Sequence, residues 1–414
     1  MRKVDLEIRP LLSALWRNRT GPLLVAVQVA IALAVLVNVA YVVQQRLATA
    51  RQPTGIDLKD TFWILSQGYA PDYSQATTVK ADLTYLNAVP GVVAAAISHN
   101  LPQTYSETDL PFATTPNPGA ASVEALVYMM SERGIETLGL KLIAGRAPLA
   151  EAVAPPASDF TQAFSRWAPE VVITEALARS LFPKGDALGN TLYAQMINRP
   201  AKIVGIVERM QGMPAPERYA DLMERVVFVP GIPPGPVALY LVRTQPGRRA
   251  AVMAKVEQEF PTLQPGRFIM KMEPFDKTAA VTRNGLRATA VILGVVGLLV
   301  TVVTAIGIFG LAAFQVTTRT KQIGTRRAIG ARRGHILRYF LLENWLITTA
   351  GVATGCILAL VVGVKLSLMF QAPRLPLYDL VAGTLALWIL GLCAVLLPAR
   401  RATRISPAVA TRTV

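Results

Sequence analysis

Histidine and cysteine are nearly absent from this chain of 414 residues, which has two of each: His99, His335, Cys356 and Cys393. The histidines lie far from each other and from either cysteine, so the usual metal-ligand spacings do not occur. Both cysteines fall inside apolar runs, which leaves no disulfide framework for the polar part of the chain. There is no Gly-Lys dipeptide, and hence no phosphate-cradling Gly-x-x-x-x-Gly-Lys-Ser/Thr loop. A Gly-x-Ser-x-Gly elbow and a His-Glu-x-x-His pair are missing as well. Ser98 beside His99 reads as a loop pair rather than a nucleophile and its base, and Glu257 with Glu259 reads as solvated helix charge. The sequence therefore predicts a non-catalytic protein.

Acids are also scarce, 26 against 42 Lys and Arg, and the charge is unevenly placed. Residues 1–20 hold five cations and two acids, 317–338 seven cations and no acid, and 399–414 four cations and no acid, which together carry +14 of the net +16. The long stretch 46–285 is nearly neutral, with 23 cations and 22 acids. No broad basic face remains to neutralise phosphates, which excludes nucleic acid as a partner.

What the chain has in quantity is apolar sequence: mean hydropathy is +0.40 with only 16% charged residues. A bilayer core of about 30 Å takes about 20 helical residues, and four runs of that kind occur, at 21–44, 288–314, 344–364 and 380–397. Arg17 and Arg19 ahead of the first run resemble a signal peptide. The uncharged run of 24 residues is too long for one, however, and predicts an uncleaved span. The three basic stretches all flank spans, so the positive-inside rule places both chain ends and the 317–338 loop in the cytoplasm. The expected order is a cytoplasmic segment 1–20, a span 21–45, an extracytoplasmic domain 46–285 and a span 286–316. A cytoplasmic loop 317–338, a span 339–365, a short outside loop 366–378, a span 379–398 and a cytoplasmic tail 399–414 follow.

The 46–285 stretch reads as an α+β domain, long enough for two lobes with separate cores. Residues 170–174 and 201–207 are strand-like. Thr174 is placed to cap a helix over 175–182, which Pro183 and Gly185 stop. The proline-rich passages 111–118, 153–156 and 230–236 read as loops or joints between lobes.

The loop 319–335 is short and basic yet keeps apolar residues. Ile323, Ala328, Ile329 and Ala331 can share one side of a broken helix, with Gly324 and Gly330 between the charges, which suits a docking element better than a bare topology signal. Glu343 sits one turn into the third span, where an unpaired charge is costly. It is expected to have a structural role, accepting hydrogen bonds from neighbouring helices or pairing with Arg338. Gly351, Gly355, Ala359 and Gly363 recur every four residues and form a smooth face for close helix packing, within the chain or across a dimer. Gly297, Thr301 and Ala305 make a weaker stripe on the second span.

These residues carry a resemblance. Ile323-Gly324, Arg327-Ala328-Ile329-Gly330-Ala331, Glu343 and the glycine-rich third span look like the signature of FtsX-like and MacB-type ABC transporter permeases. The ending from Pro398 to Arg412 is similar to that of the same family. Residues 171–192 and 203–207 look like its periplasmic core domain. The family usually has an acid where this chain has Gln322, a departure that weakens any ion pair with an ATPase.

The resemblance implies mechanotransmission in a bacterial inner membrane. A dimer of permeases, with a second copy or a paralogue, would sit on cytoplasmic ABC ATPase subunits that bind the ATP and Mg, this chain itself holding no cofactor. Closure of those subunits would move the outside domains and export a substrate, in some systems with a periplasmic adaptor and an outer-membrane channel. The ATPase-docking residues implied are Gln322, Ile323, Gly324, Arg326, Arg327, Ala328, Ile329, Gly330 and Ala331. Two related roles fit the same plan: lipoprotein extraction of the Lol kind, and a non-transporting transmitter that switches on an envelope hydrolase.

Overall fold

The computed structural model describes residues 20–71, 73–104, 108–117, 119–153, 159, 162–163, 168–197, 199–212, 222–370 and 375–404. Residues 1–19 of the expected segment 1–20, residues 405–414 of the expected tail 399–414, and parts of the 153–156 passage and the 366–378 loop lie outside these. In chain order the described elements are α1 (Thr20–Arg51), β1 (Thr61–Gly68), α2 (Gln75–Ala88), β2 (Val92–Ser98), β3 (Thr108–Ala113), β4 (Val123–Met130), α3 (Gly134–Thr137), β5 (Leu142–Gly145), β6 (Glu170–Thr174) and α4 (Glu175–Leu181). Then come β7 (Thr191–Ala194), β8 (Arg199–Val207), β9 (Val226–Pro230), β10 (Val237–Thr244), α5 (Arg249–Glu259), β11 (Arg267–Pro274), α6 (Phe275–Thr318), α7 (Thr320–Ala328), α8 (Arg333–Phe370) and α9 (Leu377–Ala402). The chain divides into two compact units: Met1–Leu47 with Ala288–Val414, and Ala48–Arg287.

In the first unit α1, α6, α8 and α9 are each long and apolar enough to cross a membrane. They contain the four runs expected from sequence and extend past them, because the polar residues at the run ends continue the helix. Val25, Val29, Leu33 and Val37 of α1 are buried among Ile308 of α6, Ile347 and Val352 of α8, and Leu387 and Val395 of α9. The small-residue face of α8 is what lets α1 sit there. A Cβ on Gly351 would lie 2.6 Å from the Ala26 carbonyl oxygen, and one on Gly355 would lie 2.9 Å from the Ala30 Cα. Ala359 is fully buried and its carbonyl accepts from Asn38 Nδ2 at 3.3 Å. Gly363 faces the Asn38 side chain. The face that sequence left open between intrachain and dimer packing is therefore filled by α1 of the same chain.

The second unit holds an eleven-stranded sheet in two lobes. In the first lobe the order β11-β1-β10-β2 is antiparallel throughout. With α2 after β1 and α5 after β10 this is a split βαβ arrangement. Phe62, Ile64, Ala95, Ile97, Tyr240 and Val242 point to the helical face and pack on Val79, Leu86, Val252 and Val256. The second lobe is inserted between β2 and β10. Its strands run β4-β3-β7-β8-β6-β9, β5 pairs antiparallel with β8 off this path, and parallel pairing of β9 with β4 closes the ring. Alternate residues of all six strands fill the barrel: Leu110 and Phe112, Ala125 and Val127, Val171 and Ile173, Leu192 and Ala194, Ala201 and Ile203, Val227 and Val229. The opposite faces of the two lobes share a third core, in which Tyr128 and Phe228 meet Trp63, Leu239, Leu241 and the first residue of α6, Phe275.

The strands expected at 170–174 and 201–207 are β6 and part of β8. Thr174 does occupy the cap position of α4, but it makes no side-chain cap bond. Its hydroxyl donates to the Glu224 carbonyl at 2.6 Å and accepts from the Val226 N–H at 3.0 Å, tying β6 to the start of β9. One expected loop is not a loop: residues 111–113 belong to β3, where Pro111 pairs with Glu124.

Candidate functional site

The junction between the second and third spans is the short helix α7 with a joint at one end and a turn at the other. At Arg319 the backbone leaves the α6 path (φ −99°, ψ 13°) and α7 begins. Helical bonding continues across this joint, since the Arg319 N–H reaches Gln315 O at 3.1 Å and the Ile323 N–H reaches Arg319 O at 3.0 Å. At the other end Gly330 takes φ +100°. The Ala331 N–H donates to Arg326 O at 3.0 Å and the Gly330 N–H to Arg327 O at 3.1 Å, the paired bonds of a Schellman turn that only glycine adopts without strain. Two residues expected at a docking surface, Gly330 and Ala331, thus serve the turn that sends the chain back into α8.

The remaining residues of that set divide by burial. Ile323, 5% exposed, and Gly324 face inward, and Ile323 belongs to the core that holds Ile336 and Phe340 of α8. Arg327 is half-buried. Gln322, Arg326, Ala328 and Ile329 are exposed, and Ile329 at 83% is the outstanding apolar side chain of the junction. The Arg326 guanidinium lies 5.0 Å over the Tyr339 ring of α8.

Glu343 is 1% exposed and pairs with Arg319, not Arg338. Arg319 Nη1 donates to both carboxylate oxygens, at 2.9 and 3.0 Å. An α-helix turns about 100° per residue, so Arg338, five positions before Glu343, points roughly 140° away from it. Arg319 reaches the carboxylate from the joint between α6 and α7 instead. Sequence reading missed Arg319; the available signal was its place as the first cation after an uncharged span.

In the polar unit three buried groups stand out. Asp82 and Arg267 form an ion pair with both side chains fully buried, and the Tyr240 hydroxyl donates to the same carboxylate at 2.6 Å. Burial pushes the Asp82 carboxyl above its usual range, while Tyr240 and Arg267 pull it back. His99, where the sheet passes from β2 towards β4, accepts the Met129 N–H on Nδ1 at 3.0 Å, and burial pushes its imidazole down to about 4. It is a neutral core histidine that substitutes for a strand bond.

Gln103 takes φ +66° although it is not glycine. Its Nε2 donates to Gln211 O at 2.6 Å and its carbonyl accepts from Thr282 of α6 at 2.9 Å. Gln211 in turn bonds Gln52 and Thr54 just after α1. This pair of glutamines joins the segments that lead out of α1 and into α6, and no sequence signal marked it. Among the described residues no group of three His, Cys, Asp or Glu is placed to hold a metal ion.

Four spans, a short basic helix between the second and third, and a two-lobed polar domain after the first define a permease-class membrane subunit. Residues 23–259 match the MacB-like periplasmic core domain and residues 294–407 the FtsX-like permease C-terminal domain. The chain belongs to the MacB/FtsX-like ABC permease family. It is 28% identical over 352 residues to the macrolide export ATP-binding/permease protein MacB of Escherichia coli strain K12, covering 81% of this chain and 49% of that protein. The MacB protein of Shigella flexneri matches to the same extent. The chain thus spans about half the length of the curated relatives it matches.

Among solved structures, the periplasmic region of MacB from Actinobacillus actinomycetemcomitans is similar over 57% of this chain and 98% of that one, at 16% identity and a TM-score of 0.35. A domain of a putative permease protein from Porphyromonas gingivalis covers 53% of this chain and 92% of its own, at 16% identity and a TM-score of 0.28.

Proposed function

We propose that this chain is the permease of an ABC export system in a bacterial inner membrane, with both ends and α7 on the cytoplasmic side. A separate ATPase, which binds ATP and Mg, docks on α7 and drives movement of the extracytoplasmic domain. A second permease copy or a paralogue completes the membrane part, and a periplasmic adaptor and outer-membrane channel are the further partners. The observation that carries this reading is the outward surface of the α7 junction: Gln322, Ala328 and above all Ile329, 83% exposed on a turn that Gly330 fixes. An isoleucine held out by a rigid turn suits a partner's groove. The basic flanks favour this orientation, and these residues contain no phosphate-binding loop of their own. Relatives named as ATP-binding/permease proteins support the pairing with an ATPase, and the words "macrolide export" in their names support export as the direction.

Burying Ile329 in a partner contributes about 2 kcal/mol, or roughly thirtyfold in affinity. Co-expression with candidate ATPases and purification through the permease tests this. Wild type is expected to retain an ATPase, and an Ile329→Asp variant to lose it while inserting in the membrane to the same level. Equal recovery with both chains would contradict the docking surface.

A further inference from the structure

The ion pair between Arg319 and Glu343 has an arrangement around it that simple charge neutralisation does not require. On α7 and the cap residue before it, Arg319, Ile323 and Arg326 stand at positions i, i+4 and i+7, one helical face. On α8, Ile336, Tyr339, Phe340 and Glu343 stand at i, i+3, i+4 and i+7, again one face. The two faces meet antiparallel along their length. Arg319 holds Glu343 at 2.9 and 3.0 Å at the far end, Ile323 shares the core of Ile336 and Phe340 in the middle, and Arg326 covers Tyr339 at 5.0 Å near the turn. The Gly330 turn closes the near end. With α6, α7 is continuous through the Arg319 joint, where the backbone departs from the α6 path while Thr320 Oγ1 still donates to Val316 O at 3.0 Å and Thr317 O at 2.8 Å.

A buried ion pair is seldom the most stable filling for its volume, and its best-attested use is to fix one geometry over others. We propose that the Arg319–Glu343 pair is the clasp that makes α7 and α8 one rigid body, so that force applied to α7 enters α8 instead of bending the Arg319 joint. From α8 the next rigid contact is with α1, where Gly351 and Gly355 leave no room for even a Cβ. In the exporter this makes α8 the input lever and Arg319 and Glu343 positioning residues. The role in force transfer rests on the docking reading given above; the rigidity of the hairpin does not.

The test uses the full chain in lipid nanodiscs, with and without its ATPase. Glu343→Gln keeps the shape and removes the charge, and Arg319→Glu with Glu343→Arg restores a pair in reverse. Hydrogen exchange of the α7 amides is expected to rise at least tenfold in Glu343→Gln, with α8 beyond Gly351 unchanged, and to return towards wild type in the swapped pair. ATPase recovery on Glu343→Gln should stay within about twofold of wild type while permease-dependent stimulation of ATP turnover drops at least tenfold.

Unchanged α7 exchange in Glu343→Gln would overturn the clasp, since the hairpin would then be held without it. Faster exchange with full stimulation would overturn its role in transfer. If wild type retains no ATPase, the docking reading fails, and the exchange arm still decides the clasp.

Discussion

His99 should make the polar domain sensitive to mild acid. Its imidazole is pushed from 6.5 down to about 4 by burial, and protonating Nδ1 would also remove the acceptor of the Met129 N–H. The group is depressed in the folded state, so between pH 6.5 and about 4 the unfolded chain binds the proton that the folded chain refuses. Stability contributed by the neutral ring is fully present above pH 6.5 and falls as pH drops towards 4. At about 1.4 kcal/mol per pH unit the full loss is about 3 kcal/mol, an upper figure because the ring keeps some solvent contact. For a domain of this size that is roughly 6–12 °C in unfolding temperature.

Thermal unfolding of the full chain in detergent, followed by tryptophan fluorescence across this pH range, measures the loss. Carboxylates titrate in the same window, so the comparison is with His99→Asn, which can still accept from Met129 but carries no proton in this range. The variant should start lower at neutral pH and lose less on acidification. Equal acid slopes in the two proteins would refute the assignment of this sensitivity to His99.

Other perturbations follow from buried groups. Arg267→Met leaves the Asp82 carboxylate buried with Tyr240 as its remaining donor, at a cost of about 3–5 kcal/mol, whereas Asp82→Leu with Arg267→Met should recover most of that loss in the same unfolding assay. Gly355→Val drives side-chain atoms into Ala30 and Leu33 of α1 and should lower the folded yield in membranes. Gly294→Val, at a position with no neighbouring atom within 4 Å, should not. Gln211→Ala removes the side-chain bonds from Gln211 to Gln103 and Gln52, leaves the backbone bonds to Gln103 and Thr54, and should modestly speed proteolysis of the 211–212 loop while leaving the barrel core protected.

The spans were legible because each is an uncharged run of bilayer length, a signal that depends on composition rather than on neighbours. Strands β6 and β8 were legible for the same local reason. The lobe topology was not, because β2 and β10 pair in space while the whole barrel lies between them in sequence. Pro111 shows the limit of punctuation rules: the passage around it reads as a loop, yet its backbone pairs with Glu124. At the candidate site, helix periodicity found the α7 apolar residues but not which of them face inward. Ile323 and Ile329 look alike until the Arg319 joint and the Gly330 turn set the rotation of the helix. Glu343 was recognised as needing a partner, and the nearest cation on its own helix points the wrong way. The glycine face of α8 was visible as a pattern, and only the fold says that α1 fills it.

Site-directed photo-crosslinking from position 329 tests the central claim most directly. With an ATPase co-expressed in native membranes, a photoreactive residue in place of Ile329 should give one strong ATPase adduct, and one in place of Leu299, an exposed residue of the α6 span, should give none. Absence of an ATPase adduct at 329, with insertion and yield unchanged, would contradict α7 as the place where the motor docks.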